Sequence, residues 1–252
     1  MSMDKRALRF IADTLTDKYS YGFSWLSRPI IQYPQDIVAM QELIWSVRPD
    51  LVIETGIAHG GSLVLSASML ALLDYCEAQQ NGEFLDPRIP KRFVLGIDID
   101  IRAHNRDAID AHPLANRINM IQGCSIAPEI VACVKEQACR FERILVCLDS
   151  NHTHDHVLQE LEAYAPLTSL DSYCVVFDTI VDELPKSCFP DRPWGPGDNP
   201  KTAVHEYLER LESAGRLGND GAPLRFEVDK EIENRILITV APGGYLRRVA
   251  KK

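Results

Sequence analysis

The sequence holds none of the short signatures that identify a nucleotide site outright. No Gly-Lys-Ser or Gly-Lys-Thr follows a glycine turn, which excludes a P-loop. No G-x-G-x-x-G with an acid about twenty residues further on is present, so the chain fits the dinucleotide pattern poorly. The seven cysteines (Cys76, Cys124, Cys133, Cys139, Cys147, Cys174, Cys188) form no C-x-x-C pair and keep no regular spacing. Cys147 and Cys174 lie in apolar strand-like runs, where a free thiol packs as a small hydrophobe, and the set points to a reducing compartment. No apolar run reaches transmembrane length, and the opening MSMDKRALRF lacks the apolar centre of a signal peptide. The expected location is therefore the cytoplasm, with no membrane partner. Basic residues are scarce: 27 Lys and Arg against 36 Asp and Glu leave a net charge of −9. That balance argues against nucleic acid, whose affinity for proteins comes mainly from Lys and Arg clusters. The one basic cluster, Arg247, Arg248, Lys251 and Lys252, reads as a solvated tail. Internal repeats and low-complexity tracts are absent.

What is present is a core-forming α/β pattern. A hydrophobic content of 46% supports a substantial core, and one connected βα array argues for a single main domain at 35–252, behind an N-terminal segment at 1–34. The chain is organised around residues 51–65, LVIETGIAHGGSLVL. An apolar run ends in Glu54, three glycines follow, and Ser62 opens a segment with helical spacing, which reads as strand, tight turn and helix. Glycine reaches backbone angles closed to other residues and lets a ligand approach the main chain. The turn also aims free N–H groups of the helix N-terminus at whatever sits above it. An ordinary strand-to-helix turn is the alternative. The next apolar run, RFVLGID at 92–98, also ends in an acid, where a carboxylate meets ribose hydroxyls. Asp98 is the candidate there and Asp100 its competitor.

Elsewhere, residues 4–17 carry helical spacing through Leu8, Ile11, Ala12 and Leu15. The aromatic stretch that follows (Tyr19, Tyr21, Phe23, Trp25) has no period. It reads as a lid over a substrate, as a surface against a second copy of the chain, or as plain packing, and a homo-oligomer is the expected assembly. Helices are expected at 35–47, 62–78, 103–112, 128–139 and 201–213, and strands at 118–123, 143–148 and 173–177. Residues 79–91 form a surface loop, and 184–200 a long irregular connection of the kind that is usually functional. Residues 224–228 and 235–240 read as a closing hairpin-like pair.

The densest chemistry is Asp149 to His156, DSNHTHDH, just beyond the end of an apolar strand, where open α/β sheets bind ligands. Alternate histidines on a turn entering a helix splay apart; only His152 and His156 share a face, which leaves a two-histidine metal pair as one option. His152 is the candidate base, and capping of the helix by the polar run is the simpler alternative. Asp178 ends the strand at 173–177, so Asp149 and Asp178 terminate two strands at one edge, where two carboxylates hold a hard cation or cap the helices that follow.

The acid-x-Gly turn with a second acid closing the next strand resembles the S-adenosylmethionine site of class I methyltransferases. The words VIETGIAHGGS, LGIDID, LDSNHTHDHV, VVFDTIV and RPWGPGDNPKTAV, in that order, closely resemble the cephalosporin hydroxylase family, over roughly Tyr33 to the C-terminus. That family has the methyltransferase fold and is related to metal-dependent macrolide and rhamnosyl O-methyltransferases. The resemblance implies a Rossmann-like α/β domain: a mostly parallel seven-stranded sheet, helices on both faces, and an antiparallel last strand. It implies S-adenosylmethionine held by Glu54, Gly56, His59, Gly60, Gly61, Ser62, Asp98 and Ser125, the last at the adenine edge. It implies Mg2+ or Mn2+ held by Asp149 and Asp178, with Asp149 and His152 as the catalytic residues, and a small-molecule acceptor, a sugar or secondary-metabolite hydroxyl. The family's pattern has Glu-Asp where this chain has Phe177-Asp178, so one carboxylate is missing unless water, Asp182 or Glu183 supplies the oxygen. Two other classes stay open: a hydroxylase of an antibiotic scaffold, and a cofactor-binding subunit without chemistry.

Overall fold

A computed structural model describes residues 5–250. A two-stranded hairpin, β1 (Phe23–Trp25) and β2 (Arg28–Ile30), precedes a seven-stranded sheet made of β3 (Leu51–Thr55), β4 (Phe93–Asp98), β5 (Ile118–Gln122), β6 (Ile144–Leu148), β7 (Tyr173–Val176), β8 (Phe226–Val228) and β9 (Tyr245–Arg248). The helices are α1 (Lys5–Thr16), α2 (Pro34–Val47), α3 (Gly61–Asn81), α4 (Ala103–Asp110), α5 (Pro128–Ala138), α6 (His154–Tyr164), α7 (Pro200–Ala214) and α8 (Lys230–Ile236). Strand order is β5-β4-β3-β6-β7-β9-β8, with parallel pairing from β5 through β7 and β9 antiparallel to both of its neighbours. β3 and β6 are buried at every position, as apolar strands covered on both faces must be. Their side chains alternate between two cores: Val52 and Leu145 pack with Leu43, Leu65 and Leu70 of α2 and α3, while Ile53 and Val146 pack with Val134, Leu161 and Val204 of α5, α6 and α7.

Between β3 and β6 the chain reverses its direction of winding. A ligand crevice opens at such a point, beyond the carboxyl ends of the strands. α3, which starts at the glycine turn, is long and apolar enough by composition alone to cross a membrane, contrary to the expectation that no segment reaches that length. However, 67% of its apolar window is buried inside the domain, the state of a core helix. Charge anchors it: the buried Asp74 pairs with Arg92 and with Arg117 at 3.0 Å. Glu77 binds Arg92 at 2.6 Å and Arg48 at 2.7 Å, and although burial opposes ionisation, these two cations bring its pKa down to about 2.

Two expectations about the C-terminal end are corrected. Residues 224–228 contain β8, but the partner strand is not 235–240. Asp229 accepts hydrogen bonds from the N–H groups of Glu231 and Ile232 and so starts α8. Ile232 and Ile236, four apart, turn one face of that helix to the core. The antiparallel strand comes later, as β9. The basic cluster is not a solvated tail either. Arg248 is 1% exposed and donates to the Thr168 carbonyl at 2.6 Å and to Asp220 at 2.7 Å, while Arg247 pairs with Asp171 at 2.9 Å. Lys251 and Lys252 lie outside the described residues.

Candidate active site

Strand register assembles the site. The Asp149 N–H donates to the Thr55 carbonyl at 3.0 Å, and the Phe177 N–H to the Leu148 carbonyl at 3.0 Å. The ends of β3, β6 and β7 therefore stand side by side, carrying Gly56, Asp149 and Asp178. Asp178 adopts a left-handed φ of 55°, an uncommon conformation for a non-glycine residue that recurs at functional sites. The His152 Nε2 lies 3.1 Å from an Asp178 carboxylate oxygen, and its ring meets Trp194 edge to face at 4.8 Å. Asp149, His152 and Asp178 each present one ligand atom, all within 4.8 Å of one another. Burial raises the Asp149 pKa well above the carboxylate range, and repulsion from Asp178, Glu54, Glu160 and Asp36 adds to it.

The three histidines divide, which removes the His152 and His156 metal pair. α6 begins at His154, so His152 precedes the helix and the four-residue spacing puts no shared face under it. His154 binds Thr202 at 2.8 Å and Glu206 at 3.0 Å on α7. The His156 Nε2 lies 3.0 Å from Ser125 Oγ, 3.4 Å from Ser150 Oγ and 3.5 Å from Glu160. Helix capping falls to Asp198 of the irregular connection, which accepts from the His154 N–H at 2.8 Å. Asp182 and Glu183 do not replace the missing carboxylate at Phe177. Asp182 accepts from Gly197 N–H at 3.0 Å and Asn199 Nδ2 at 2.7 Å, and Glu183 pairs with Lys201.

The glycine turn serves a close backbone approach as well as any ligand. Gly56 has φ +90°, and a Cβ there would land on the Asp149 carbonyl. Cβ atoms at Gly60 and Gly61 would strike Ile109 and the Pro29–Ile30 segment. Glu54, Gly56 and Ser62 line a small cavity with Asp149 and Phe177. Burial raises the Glu54 pKa, against the pull of its Ser66 and Ser62 hydrogen bonds. Gly56 also lines a second pocket, with Asp98, Cys124, Ser125, Ser150 and His156. Asp98 accepts from the N–H groups of Ile57 at 2.8 Å and Ala58 at 3.2 Å, whereas Asp100 projects to the surface beside Arg102. His59, Gly60 and Gly61 line neither space; the His59 carbonyl accepts from Arg28 Nε at 3.0 Å. A wider cleft on the other side of His152 and Asp178 is walled by Val181, Phe189 and Trp194, and by Leu15 and Tyr21 of the N-terminal segment. Tyr21 belongs to the aromatic stretch for which a lid over a substrate is one reading, and Phe189 and Trp194 to the irregular connection at 184–200 expected to be functional. Leu15 is expected only as part of a helix, and periodic spacing carries no sign that it joins this wall.

The chain is similar to curated and solved proteins along most of its length. It is 30% identical over 217 residues to the rhamnosyl O-methyltransferase of Mycobacterium bovis (strain BCG / Pasteur 1173P2), covering 84% of this chain and 73% of that protein. The Mycobacterium leprae rhamnosyl O-methyltransferase is 26% identical over 232 residues, covering 89% and 82%. Among solved structures, the Mg-SAM structure of CmcI superposes with a TM-score of 0.56 at 18% identity, covering 91% of this chain and 78% of that one, which supports the fold. The model of the family described as Rhamnosyl O-methyltransferase/CmcI matches residues 17–249, and the chain belongs to that family.

Proposed function

We propose that this protein is an S-adenosylmethionine-dependent O-methyltransferase acting on a sugar or secondary-metabolite hydroxyl, assisted by a divalent cation. The observation that carries the reading is the convergence of Asp149, His152 and Asp178 beside the crevice at the β3 turn. The donor set suits a hard cation: the Asp149 and Asp178 carboxylates would hold it, and the Asp149 carboxylate takes no hydrogen bond from the described residues. The His152 imidazole beside them stays free to take a proton. When bound, Mg2+ or Mn2+ would lower the pKa of an acceptor hydroxyl and fix its direction. The protein's own residues supply alignment and proton transfer. Asp98 and Ser125 would hold the nucleoside end of the donor and Glu54 and Ser62 its tail, so that the methyl group faces the cleft at Asp178. His152, oriented by Asp178 and Trp194, is the base that accepts the hydroxyl proton as the methyl carbon leaves sulfur for oxygen. Its carboxylate partner is Asp178.

A non-haem iron hydroxylase needs two histidines and one carboxylate around an open position, and this cluster reverses that ratio. The relatives' names point to a sugar hydroxyl as the acceptor. The test is transfer of labelled methyl from S-adenosylmethionine to a panel of sugar and natural-product acceptors, with magnesium, with manganese and after exhaustive chelation. Metal-dependent methylation is the expected result; iron-dependent oxygen uptake would instead establish the hydroxylase. The same reading includes a homo-oligomer, supported by an apolar groove in which Leu26, Leu72 and Tyr75 are each more than half exposed, and a reducing compartment, supported by seven free cysteines.

A further inference from the structure

We infer that the acceptor is an anionic sugar, one that carries a phosphate or a carboxylate beside its ring, and that Lys18 and Arg192 select it. The inference rests on the proposed reading of the cleft beyond His152 and Asp178 as the acceptor site. Lys18 belongs to the wall of Leu15 and Tyr21, Arg192 to that of Phe189 and Trp194. The cleft measures about 360 Å³, within the range of small-molecule sites.

Both cations are placed by local structure, and neither is neutralised. Lys18 has a left-handed φ of 53°, uncommon for a residue with a side chain. Its N–H donates to the Leu15 carbonyl at 3.1 Å and its carbonyl accepts from the Tyr21 N–H at 2.9 Å, so the turn after α1 carries it to the rim of the cleft. On the other wall, Lys186 Nζ donates to the Trp194 carbonyl at 2.7 Å and the Arg192 carbonyl at 3.4 Å. The Arg192 guanidinium lies 5.2 Å from the centre of the Trp194 ring, a cation–π contact that holds it beside the cleft. Nearby cations are committed elsewhere, Lys186 to these carbonyls and Lys201 to Glu183. Lys18 and Arg192 are exposed, and neither forms an ion pair among the described residues. The lining residues include two acids, Asp178 and Asp191, and Asp178 serves the divalent cation in the proposed site. Two cations for one acid thus face the acceptor, in a chain whose net charge of −9 otherwise repels anions. With the reacting hydroxyl at His152 and Asp178 and the ring against the apolar walls, a phosphate or carboxylate substituent at the rim accepts charge-assisted hydrogen bonds from Lys18 and Arg192.

Titration calorimetry of the full chain, with magnesium and S-adenosylhomocysteine present, tests this with matched sugars: the methyl glycosides of rhamnose, glucose and galactose, the 1-phosphates of the same sugars, and glucuronate and galacturonate. At least one anionic sugar should bind about tenfold or more tightly than its neutral counterpart, and the phosphate and carboxylate arms say which anion is read. Lys18→Gln and Arg192→Gln should each cut that preference about fivefold, both sites being exposed, whereas Lys18→Arg should keep it; thermal melts confirm that each variant is folded. No tighter binding of any anionic sugar, a preference that survives both Gln variants, or equal weakening of neutral and anionic sugars overturns the inference. Methyl transfer to the same panel is a separate readout. Anionic sugars that bind through Lys18 and Arg192 but accept no methyl would leave the anion site standing and overturn the methyltransferase reading; methylation of the neutral sugars alone would do the reverse.

Discussion

Phe177 stands where the family's pattern has a carboxylate, and its surroundings show what the ring does instead. It is 3% exposed, packs into the core and forms part of the wall beside Glu54 and Asp149. A third acid there would add repulsion to a cluster in which Asp149 already has a raised pKa. We expect Phe177→Glu to tighten manganese binding in a calorimetric titration about tenfold, and to lower stability by about 3 kcal/mol through loss of the buried ring. Asp149→Asn and Asp178→Asn should each leave less than about 1% of the methylation rate, since each removes a charge from the cation site; substantial activity in either would exclude that residue as a ligand. Asp36 makes a separate case. It is fully buried on α2, accepting from Thr239 Oγ1 at 2.5 Å, the Val240 N–H at 3.0 Å and Tyr245 OH at 2.8 Å, and burial, against these bonds, raises its pKa to about 6. An ordinary aspartate ionises near pH 3.9. Between about pH 4 and 6 the native state thus holds a proton that the unfolded chain has released, and stability falls as pH rises, by about 2–3 kcal/mol in all. Denaturant melts from pH 4 to 7 should show Asp36→Asn gaining on the wild type across that window and no further above it. A pH-independent difference would refute this assignment.

At the level of elements, legibility depended on whether local signals and tertiary packing agreed. Strands such as Leu51–Thr55 and Ile144–Leu148 were legible because burial on both faces writes a continuous apolar run. Their terminal acids marked the site, and Asp149, His152 and Asp178 do converge. The roles of His154 and His156 were not legible, because their partners Thr202, Glu206 and Ser125 come from distant elements. The strand expected at 235–240 fails because Arg235 and Ile236 are the end of α8, a helix that the sequence reading leaves unassigned and that the Asp229 cap starts. Arg248 looked like a charged tail because a sequence does not show that Asp220 and the Thr168 carbonyl will enclose it. Arg92 is a similar hidden brace: 2% exposed, it joins Asp74 and Glu77 of α3 to the start of β4. Arg92→Leu leaves Asp74 buried with only Arg117, and we expect a loss of about 3–5 kcal/mol in chemical denaturation. A loss below about 1 kcal/mol would mean that Arg117 alone satisfies the aspartate.

On the scale of the whole molecule, the exposed apolar groove and the acidic centre make different demands. The groove at Leu26, Leu72 and Tyr75 lies away from the cation cluster, so assembly and chemistry are separable. Light scattering at micromolar concentration should report a dimer or larger, and Leu72→Glu should shift it toward monomer without changing methyl transfer per chain. A wild-type monomer would contradict the assembly. The cleft has the opposite character, since its walls come from far apart in the chain: Leu15 and Tyr21 face Phe189 and Trp194, and Thr14 Oγ1 fastens α1 to Tyr33 OH at 2.8 Å. On a ribosome the first of these walls emerges long before the second. A nascent chain ending just after α6 would already contain every residue proposed for the donor, from Glu54 to Ser125, but only the earlier wall of the cleft. With the acceptor in that cleft, as proposed, the last of the residues that select it are synthesised after those that hold the donor.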